Sequence, residues 1–167
     1  KTALSAPKVS QEERRKQSAL AAGKRQPSEA ETRYLIDEQL RKVGWEADTE
    51  KLRYSKGTRP EKGRNMAIAE WPTDSHVGNR GYADYALFVG TELIATIEAK
   101  ASHKDIPSVI DYQCKEYSKN IREKDSQYQI GTWGKYKVPF TFATNGKPYL
   151  EQYKTKSGIW FLDLRQS

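Results

Sequence analysis

Cysteine is almost absent from this sequence, in which Cys114 is the only thiol among 167 residues. A single cysteine excludes an internal disulfide framework and is consistent with a reducing cytoplasm. The two histidines, His76 and His103, cannot form a Cys/His zinc site with one cysteine. No apolar run approaches the roughly 18 residues that a membrane-spanning helix needs. These absences predict a cytoplasmic protein without a membrane span.

Acidic residues are too few to balance the basic ones: 22 Asp and Glu face 29 Lys and Arg, for a formal net charge of +7. The sequence pI is near 9.4. A basic domain attracts polyanions, of which nucleic acid is the commonest. Ordinary solubilising charge explains the same composition, so charge alone does not decide between the two interpretations.

Large apolar side chains are scarce in residues 1–26, which are rich in Lys, Arg, Gln, Ala and Ser. Such a stretch cannot bury enough surface to fold alone. We therefore interpret residues 1–26 as a flexible linker or the end of an upstream helix, and residues 27–167 as the folded domain. Because the chain opens with Lys1 rather than methionine, we expect a fragment, and any targeting peptide would precede Lys1.

The folded part is predicted to open with a helix. Ser28 and Glu31 have capping-box spacing, which predicts a helix that runs to about residue 43 and ends at Gly44. Glu29 falls on the apolar stripe of this helix and should point inward, whereas Glu31 should point to the opposite side. The stripe consists of Ile36, Leu40 and Val43.

Further apolar segments predict strands at residues 66–71, 82–89, 93–101, 138–144 and 159–164. A helix is expected from Pro107 to about Ile121, and residues 122–137, which are mostly polar, are expected to form a loop without an assignable role. Asn145-Gly146 is a turn signal after the fourth of these strands.

Three polar residues stand out in the hairpin of residues 82–101. Glu98 and Lys100 are two apart on one strand and leave the same face, and Asp84 lies on the partner strand. Two carboxylates that converge there would hold a hard divalent cation, typically Mg²⁺. The metal could activate a water for attack on a phosphodiester, with Lys100 positioning that water or stabilising charge on the phosphate. Alone, however, the three letters of an ExK triplet are a weak signal, because such residues in strands usually face solvent.

This interpretation makes a demand on the hairpin register. A two-residue loop at Gly90-Thr91 with regular pairing would place Asp84 opposite Ile97, on the wrong face. A three-residue loop at 90–92 would place Asp84 opposite Glu98. The metal site therefore requires an odd-length loop or a β-bulge, with Gly90 as a candidate for a positive φ.

The helix that follows carries a second pair of polar residues. Gln113 and Tyr117 are four apart and therefore neighbours on its surface. An isolated pair of this kind is most often a satisfied core glutamine beside a packed tyrosine. A strand with ExK directly before a helix with QxxxY is much less common. The apolar face of this helix consists of Val109, Ile110, Cys114, Tyr117 and Ile121.

The order Asp84, then Glu98-Ala99-Lys100, then Gln113 and Tyr117 resembles the QxxxY branch of the PD-(D/E)xK nucleases. Longer stretches resemble the amino-terminal nuclease region of type I restriction enzyme R subunits. These stretches are SEAETR (28–33), QLRKVGW (39–45), AIAEWPT (67–73), ADYALF (83–88), ATNG (143–146) and TKSGIW (155–160). Ala83 departs from the proline of the family's motif, a tolerated change because the aspartate is the ligand.

The resemblance implies an α/β fold with a restriction-endonuclease-like core, in which helices flank a central mixed β-sheet. It implies Mg²⁺-dependent cleavage of double-stranded DNA. Asp84, Glu98 and the carbonyl of Ala99 would bind the metal, and Lys100 would assist the attacking water. Glu29 would match the family's helix glutamate near the metal, and Gln113 with Tyr117 would support the site or contact DNA.

The resemblance also implies partners. The intact subunit would carry an ATP-driven motor, which lies outside this chain because no GxxxxGK[ST] loop occurs in it, and it would work with modification and specificity subunits. We expect non-specific, salt-sensitive DNA binding through phosphates. Candidate contacts, each also explicable as a solvated surface charge, are Arg59, Lys62, Arg64, Lys104 and Lys115.

Two alternatives remain open. One is a structure-specific or repair nuclease with the same core, which would not be expected to share residues 67–73 and 155–160. The other is a basic DNA-binding module with a vestigial nuclease site. Against the second, every polar residue expected at the site is present.

Overall fold

The computed structural model describes residues 28–75, 81–101, 110–146 and 159–166. Within these ranges six strands form one sheet in chain order. Strands β1–β2 and β4–β5 pair in parallel, and the other neighbours pair antiparallel. The elements are helix α1 (Glu29–Lys42), β1 (Glu46–Ala47), β2 (Asn65–Pro72), β3 (Tyr82–Val89), β4 (Glu92–Ala99), a π-helical turn (Ile110–Cys114), α2 (Lys115–Lys119), β5 (Phe140–Thr144) and β6 (Ile159–Asp163).

This architecture confirms the expected α/β class with a central mixed sheet. The five predicted strands are all present, with ends that differ by a few residues. Short 3-10 helices lie at Tyr54–Lys56, Glu123–Tyr128 and Leu164–Gln166, so the predicted loop at 122–137 contains one of them. The predicted linker at 1–26 lies outside the described residues. In the described part of the chain, no helix is long and apolar enough to cross a membrane.

Helix α1 begins and ends as the sequence predicts. The Ser28 hydroxyl accepts the Glu31 N–H at 3.2 Å, and the Glu31 carboxylate accepts the Ser28 N–H at 2.8 Å, which completes the capping box. At the other end, Gly44 has φ +103° and Trp45 donates its N–H to the Leu40 carbonyl at 3.0 Å. These are features of a Schellman motif, which needs a residue with positive φ directly after the helix.

The apolar stripe of α1 is shorter than predicted. Ile36 and Leu40 are buried, but Val43 is 75% exposed, so its assignment to the buried stripe is wrong. Val43 is the C-cap residue, with φ −101° and ψ 11°. Because the chain leaves the helical path there, the helical periodicity no longer sets the direction of this side chain.

The sheet is buried on both faces, which explains why β3 is almost continuously apolar. One face packs under α1 in a cluster that contains Ile36, Leu40, Ala67, Tyr85, Leu87, Ala95 and Ile97. The other face packs in a cluster that contains Met66, Ile68, Trp71, Ala86, Phe88, Leu93, Ile121 and Val138.

Strand β2 breaks its alternation at Glu70, which has φ +55°. Regular alternation would place Glu70 on the face of Met66 and Ile68, and Trp71 on the opposite face. Instead Trp71 joins the cluster of Met66 and Ile68. A non-glycine residue with this backbone conformation inside a strand is uncommon and costs energy.

The hairpin between β3 and β4 has a two-residue loop and a β-bulge. Val89 pairs with Glu92 across Gly90-Thr91, and Gly90 has φ +60°. The register then shifts, because Phe88 pairs with Leu93 but Leu87 pairs with Ala95, which leaves Ile94 as the extra residue. The bulge required by the sequence argument is therefore present, and it occurs in β4 rather than in a longer loop.

The predicted helix at 107–121 is only partly described. From Ile110 the chain forms a π-helical turn and then α2, which ends at Lys119, two residues earlier than expected. Cys114 and Tyr117 are buried, as is Ile121 just after the helix. Pro107 and Val109 lie outside the described residues.

Candidate metal site

The bulge brings two carboxylates face to face. Tyr85 pairs with Ile97, so the same register places Asp84 opposite Glu98. Both are almost fully buried, with 2% of Asp84 and 5% of Glu98 exposed. Asp84 Oδ2 accepts the Ala99 N–H at 2.7 Å, and the two carboxyl groups are close enough for their charges to interact.

The electrostatics of this pair favour a positive charge between them. Burial raises the pKa of Glu98 well above its ordinary value, and the negative charge of Asp84 raises it further. Burial also raises the pKa of Asp84, against the opposing effect of the Arg33 guanidinium. Glu98 Oε2 is a buried acceptor without a hydrogen-bond partner among the described residues. Such an oxygen is costly to bury, and a bound cation would offset that cost.

Glu98→Gln is expected to raise the free energy of unfolding at pH 7–8 by about 1–2 kcal/mol, a gain within the range of single stabilising substitutions. With a raised pKa in the folded state, Glu98 holds a proton that the unfolded chain has already released. Stability contributed by this group is therefore lost as the pH rises above the unfolded pKa of about 4.3. Urea unfolding at several pH values should show the gain at pH 8 and convergence with the wild type below about pH 4.

The matched control for that experiment is Glu92→Gln, at an exposed position on the same strand. It removes the same charge and should leave stability at pH 8 nearly unchanged. A Glu98→Gln protein that is less stable than the wild type at pH 8 would contradict the electrostatic argument.

Lys100 lies where the sequence predicted, beside the carboxylates. Its Nζ is 3.2 Å from Glu98 Oε1, and its side chain is 22% exposed. The Lys100 N–H donates to the Thr144 carbonyl at 2.9 Å, which anchors the end of β4 to β5. Lys100 can therefore reach both the buried pair and a molecule that approaches from solvent.

Helix α1 contributes two charged side chains to the site. Glu29 is half-buried and close enough for its negative charge to raise the pKa of Asp84, in agreement with its predicted inward orientation. Arg33, one turn later, is buried and donates from Nη2 to the Asp84 carbonyl oxygen at 3.0 Å. Arg33 was not among the residues expected at the site.

The π-helical turn also lies beside the carboxylates. Burial raises the pKa of Cys114, and the negative charges of Glu98 and Asp84 raise it further. Next to it, Gln113 has a buried Oε1 without a hydrogen-bond partner in the described part of the chain. Tyr117 is buried. The turn thus places Cys114 near the carboxylates, and π-helical turns are frequent at functional sites; the contact of Gln113 with the site stays a prediction.

The basic candidates are scattered. Arg64 lies beside the hairpin turn, where its carbonyl accepts the Gly90 N–H, roughly 20 Å along the strands from Asp84. Its guanidinium pairs with Glu46 and Glu61. Arg59 stacks on the Tyr54 ring with 3.6 Å from its Cζ to the ring centroid.

These contacts give Arg64 and Arg59 structural roles, and their contact with DNA stays a prediction. Lys62 is exposed and Lys115 is half-buried. Lys104 lies outside the described residues.

The donor set fits a hard divalent cation. The described residues contain no group of three or more His, Cys, Asp or Glu side chains arranged to hold a metal. Mg²⁺ does not need such a group, because it usually binds through one or two carboxylates and keeps several waters. Asp84 and Glu98 supply two oxygens of this type. Ala99 adjoins them, and its carbonyl as a third ligand stays a prediction.

Comparison with known proteins places the chain in a family. The model of the type I restriction enzyme EcoKI endonuclease subunit second domain matches residues 46–167. The chain belongs to the type I restriction endonuclease subunits. The EcoKI endonuclease subunit of Escherichia coli (strain K12) is 44% identical over 164 residues, which cover 84% of this chain and 14% of that protein. This restriction subunit sequence therefore spans a small part of its relative. No solved structure matches it.

The range matched to the type I restriction family contains most of the site. Asp84, Glu98, Lys100, Gln113 and Tyr117 all fall within residues 46–167. Helix α1, with Glu29 and Arg33, precedes the matched range and packs against one face of the sheet.

Sequence reasoning missed a polar network that ties α1 to the strands of this restriction subunit. Asp37 accepts hydrogen bonds from the Tyr85 hydroxyl at 2.7 Å and from the Thr49 N–H at 2.8 Å. Glu29, Arg33 and Asp37 follow one another at intervals of four residues, so they lie on the same side of the helix. That i, i+4 spacing of charged residues on a partly buried helix was the available signal.

Proposed function

We propose that this chain is the Mg²⁺-dependent endonuclease domain of a type I restriction enzyme, and that it hydrolyses phosphodiester bonds of double-stranded DNA. The opposed, buried pair of Asp84 and Glu98, with Lys100 beside it, carries the proposal. The family match favours a restriction subunit over a repair nuclease with the same core. Both strands are apolar, and Glu98 Oε2 lacks a hydrogen-bond partner among the described residues. Burial of two acids in such strands costs free energy that a bound cation would offset.

Asp84, Glu98 and the Ala99 carbonyl hold the metal. A Mg²⁺ ion held by these residues would supply Lewis-acid chemistry, through polarisation of the phosphodiester and activation of a water. Lys100 orients the attacking water or stabilises the charge that develops on the phosphate. Glu29 adds negative charge at the helix side of the site. Gln113 in the π-helical turn and Tyr117 in α2 support the site or contact DNA.

The rest of the assembly follows from the family. In the full-length subunit, ATP drives a motor that lies outside this chain, and the subunit works with modification and specificity subunits in the cytoplasm. DNA contact by this domain is through phosphates and is therefore salt-sensitive. Arg59, Lys62, Arg64, Lys104 and Lys115 are the candidate contacts.

Calorimetric titration of Mn²⁺ and Mg²⁺ at low salt tests the metal site. Binding to the wild type that is lost in Asp84→Ala/Glu98→Ala supports the nuclease. The double variant Glu92→Ala/Asp163→Ala is the matched control, because it removes the same charge from residues outside the site and should bind metal normally. Binding that survives in Asp84→Ala/Glu98→Ala would refute the site. No binding to any protein would favour the DNA-binding module with a vestigial site.

A further inference from the structure

Arg33 joins helix α1 to two neighbouring strands at the metal site. Its Nη1 donates to Glu70 Oε1 at 3.0 Å, and its Nη2 donates to the Asp84 carbonyl oxygen at 3.0 Å. The side chain is buried. Asp84 on β3 lies opposite Glu70 on β2 in the strand register, because Ala69 pairs with Tyr85 and Trp71 with Ala83. One guanidinium therefore bridges both strands where the first metal ligand lies.

Arg33 contacts the main chain of Asp84 more closely than its carboxylate. The distance from Nη2 to Asp84 Oδ1 is 3.6 Å, compared with 3.0 Å to the carbonyl oxygen. A guanidinium can bind a carboxylate with two short parallel hydrogen bonds, and such a pair would occupy the oxygens that a metal needs. Here Nη1 of the guanidinium binds the Glu70 carboxylate instead.

Glu70 adopts its left-handed backbone conformation at this point, with φ +55°. Its carboxylate meets Arg33 and also Arg53, whose Nη2 is 3.4 Å from Oε1. Regular alternation would have directed Glu70 to the face that carries Asp84 and Glu98. Strained residues persist where the surrounding structure holds them, and they cluster at functional sites.

We propose that Arg33 and Glu70 are positioning residues for the metal ligand Asp84. Glu70 holds Arg33 so that the guanidinium fixes the Asp84 main chain and stays 3.6 Å from Oδ1, too far for a short hydrogen bond to the carboxylate. Asp84 thereby keeps Oδ2 on the Ala99 N–H and leaves Oδ1 available to a cation. This inference rests on the proposed metal-dependent function, because it assigns both residues to the support of that site.

The first test needs no metal. Amide hydrogen exchange by NMR follows the Ala99 N–H, which Asp84 Oδ2 accepts at 2.7 Å. In Arg33→Met, exchange at Ala99 is expected to accelerate roughly tenfold, the size of losing one ordinary hydrogen bond. Arg41→Met is the matched control, since it removes an arginine from the same helix that donates to the Ala47 carbonyl at 2.6 Å. It should leave Ala99 unchanged.

The second test measures Mn²⁺ affinity by calorimetry. Arg33→Met is expected to weaken binding by about 10- to 100-fold, as loss of a residue that orients a metal ligand usually does. Arg33→Lys should not restore it, because an ammonium group cannot bridge two acceptors in the geometry of a guanidinium. Glu70→Ala should weaken binding, whereas Glu70→Gln, which keeps an oxygen for Arg33 Nη1, should retain more affinity than Glu70→Ala.

The outcomes separate this inference from the proposed function. Wild-type Mn²⁺ affinity in Arg33→Met, or in Arg33→Lys if the methionine variant does not fold, overturns the positioning role and leaves the metal site intact. A wild-type protein that binds no Mn²⁺ overturns the proposed function. In that case the exchange rate at Ala99 still decides whether Arg33 holds Asp84, and an unchanged rate refutes it.

Discussion

Asp84→Asn is expected to lower the rate of DNA cleavage by at least about 100-fold, the usual cost of removing one charge-stabilising group from an active site. Asparagine keeps the size of the side chain and an oxygen that accepts the Ala99 N–H. It removes the negative charge that the cation needs. The measurement is cleavage of plasmid DNA by a type I complex in which this chain replaces the matching 164 residues of the EcoKI subunit, to which it is 44% identical.

Two controls make that result specific. Asp163→Asn changes an aspartate on β6 that pairs with Arg165. The chimera with this substitution should cleave at the rate of the unmodified chimera. ATP hydrolysis, which the family resemblance assigns to other domains, should be unchanged in Asp84→Asn. Cleavage near the unmodified rate in Asp84→Asn would show that this carboxylate does not carry the reaction.

Trp71→Ala is expected to lower the free energy of unfolding by about 3–5 kcal/mol, the range for truncation of a large buried aromatic side chain. Trp71 is fully buried and packs against Phe88, Tyr54 and Tyr128, with ring centroids 4.8, 5.0 and 5.7 Å away. Its Nε1 donates to Asp125 Oδ2 at 3.2 Å. Urea unfolding at neutral pH measures the loss.

Trp71→Phe separates packing from hydrogen bonding. It keeps an aromatic ring against Phe88 but leaves Asp125 with Arg122 as its remaining partner. Loss of about 1–3 kcal/mol is expected, as for a buried acceptor deprived of one donor. If Trp71→Ala cost less than about 1 kcal/mol, Trp71 could not be a central packing residue of this face.

Local patterns predicted the parts of this fold that depend on neighbours in the sequence. The capping box at Ser28, the glycine stop at Gly44 and the positions of the strands, to within two residues at each end, follow from spacing over a few residues. The β-bulge was also predictable, because the functional argument required Asp84 and Glu98 to share a face and only an odd offset allows it.

The missed features depend on partners that are distant along the chain. Arg33 meets Glu70 and Asp84 across 37 and 51 residues. The i, i+4 spacing of Arg33 with its charged neighbours marks one side of the helix but does not identify these partners. The positive φ of Glu70 likewise accompanies ion pairs with the distant Arg33 and Arg53, and glutamate itself has no intrinsic preference for that conformation. Val43 was misplaced because a helical period was extended one residue past the end of the helix.

The bulge at Ile94 also limits how the length of this hairpin can change during evolution. A single insertion or deletion within the paired strands, away from the bulge and the loop, would turn one carboxylate to the opposite face and abolish the pair. Changes of two residues would be neutral, and so would loss of Ile94 itself, because Leu87 would still face Ala95 in a regular ladder. Searches for distant relatives should therefore allow the interval between the two acids to vary in even steps, with single-residue steps accepted only where the bulge or the loop absorbs them.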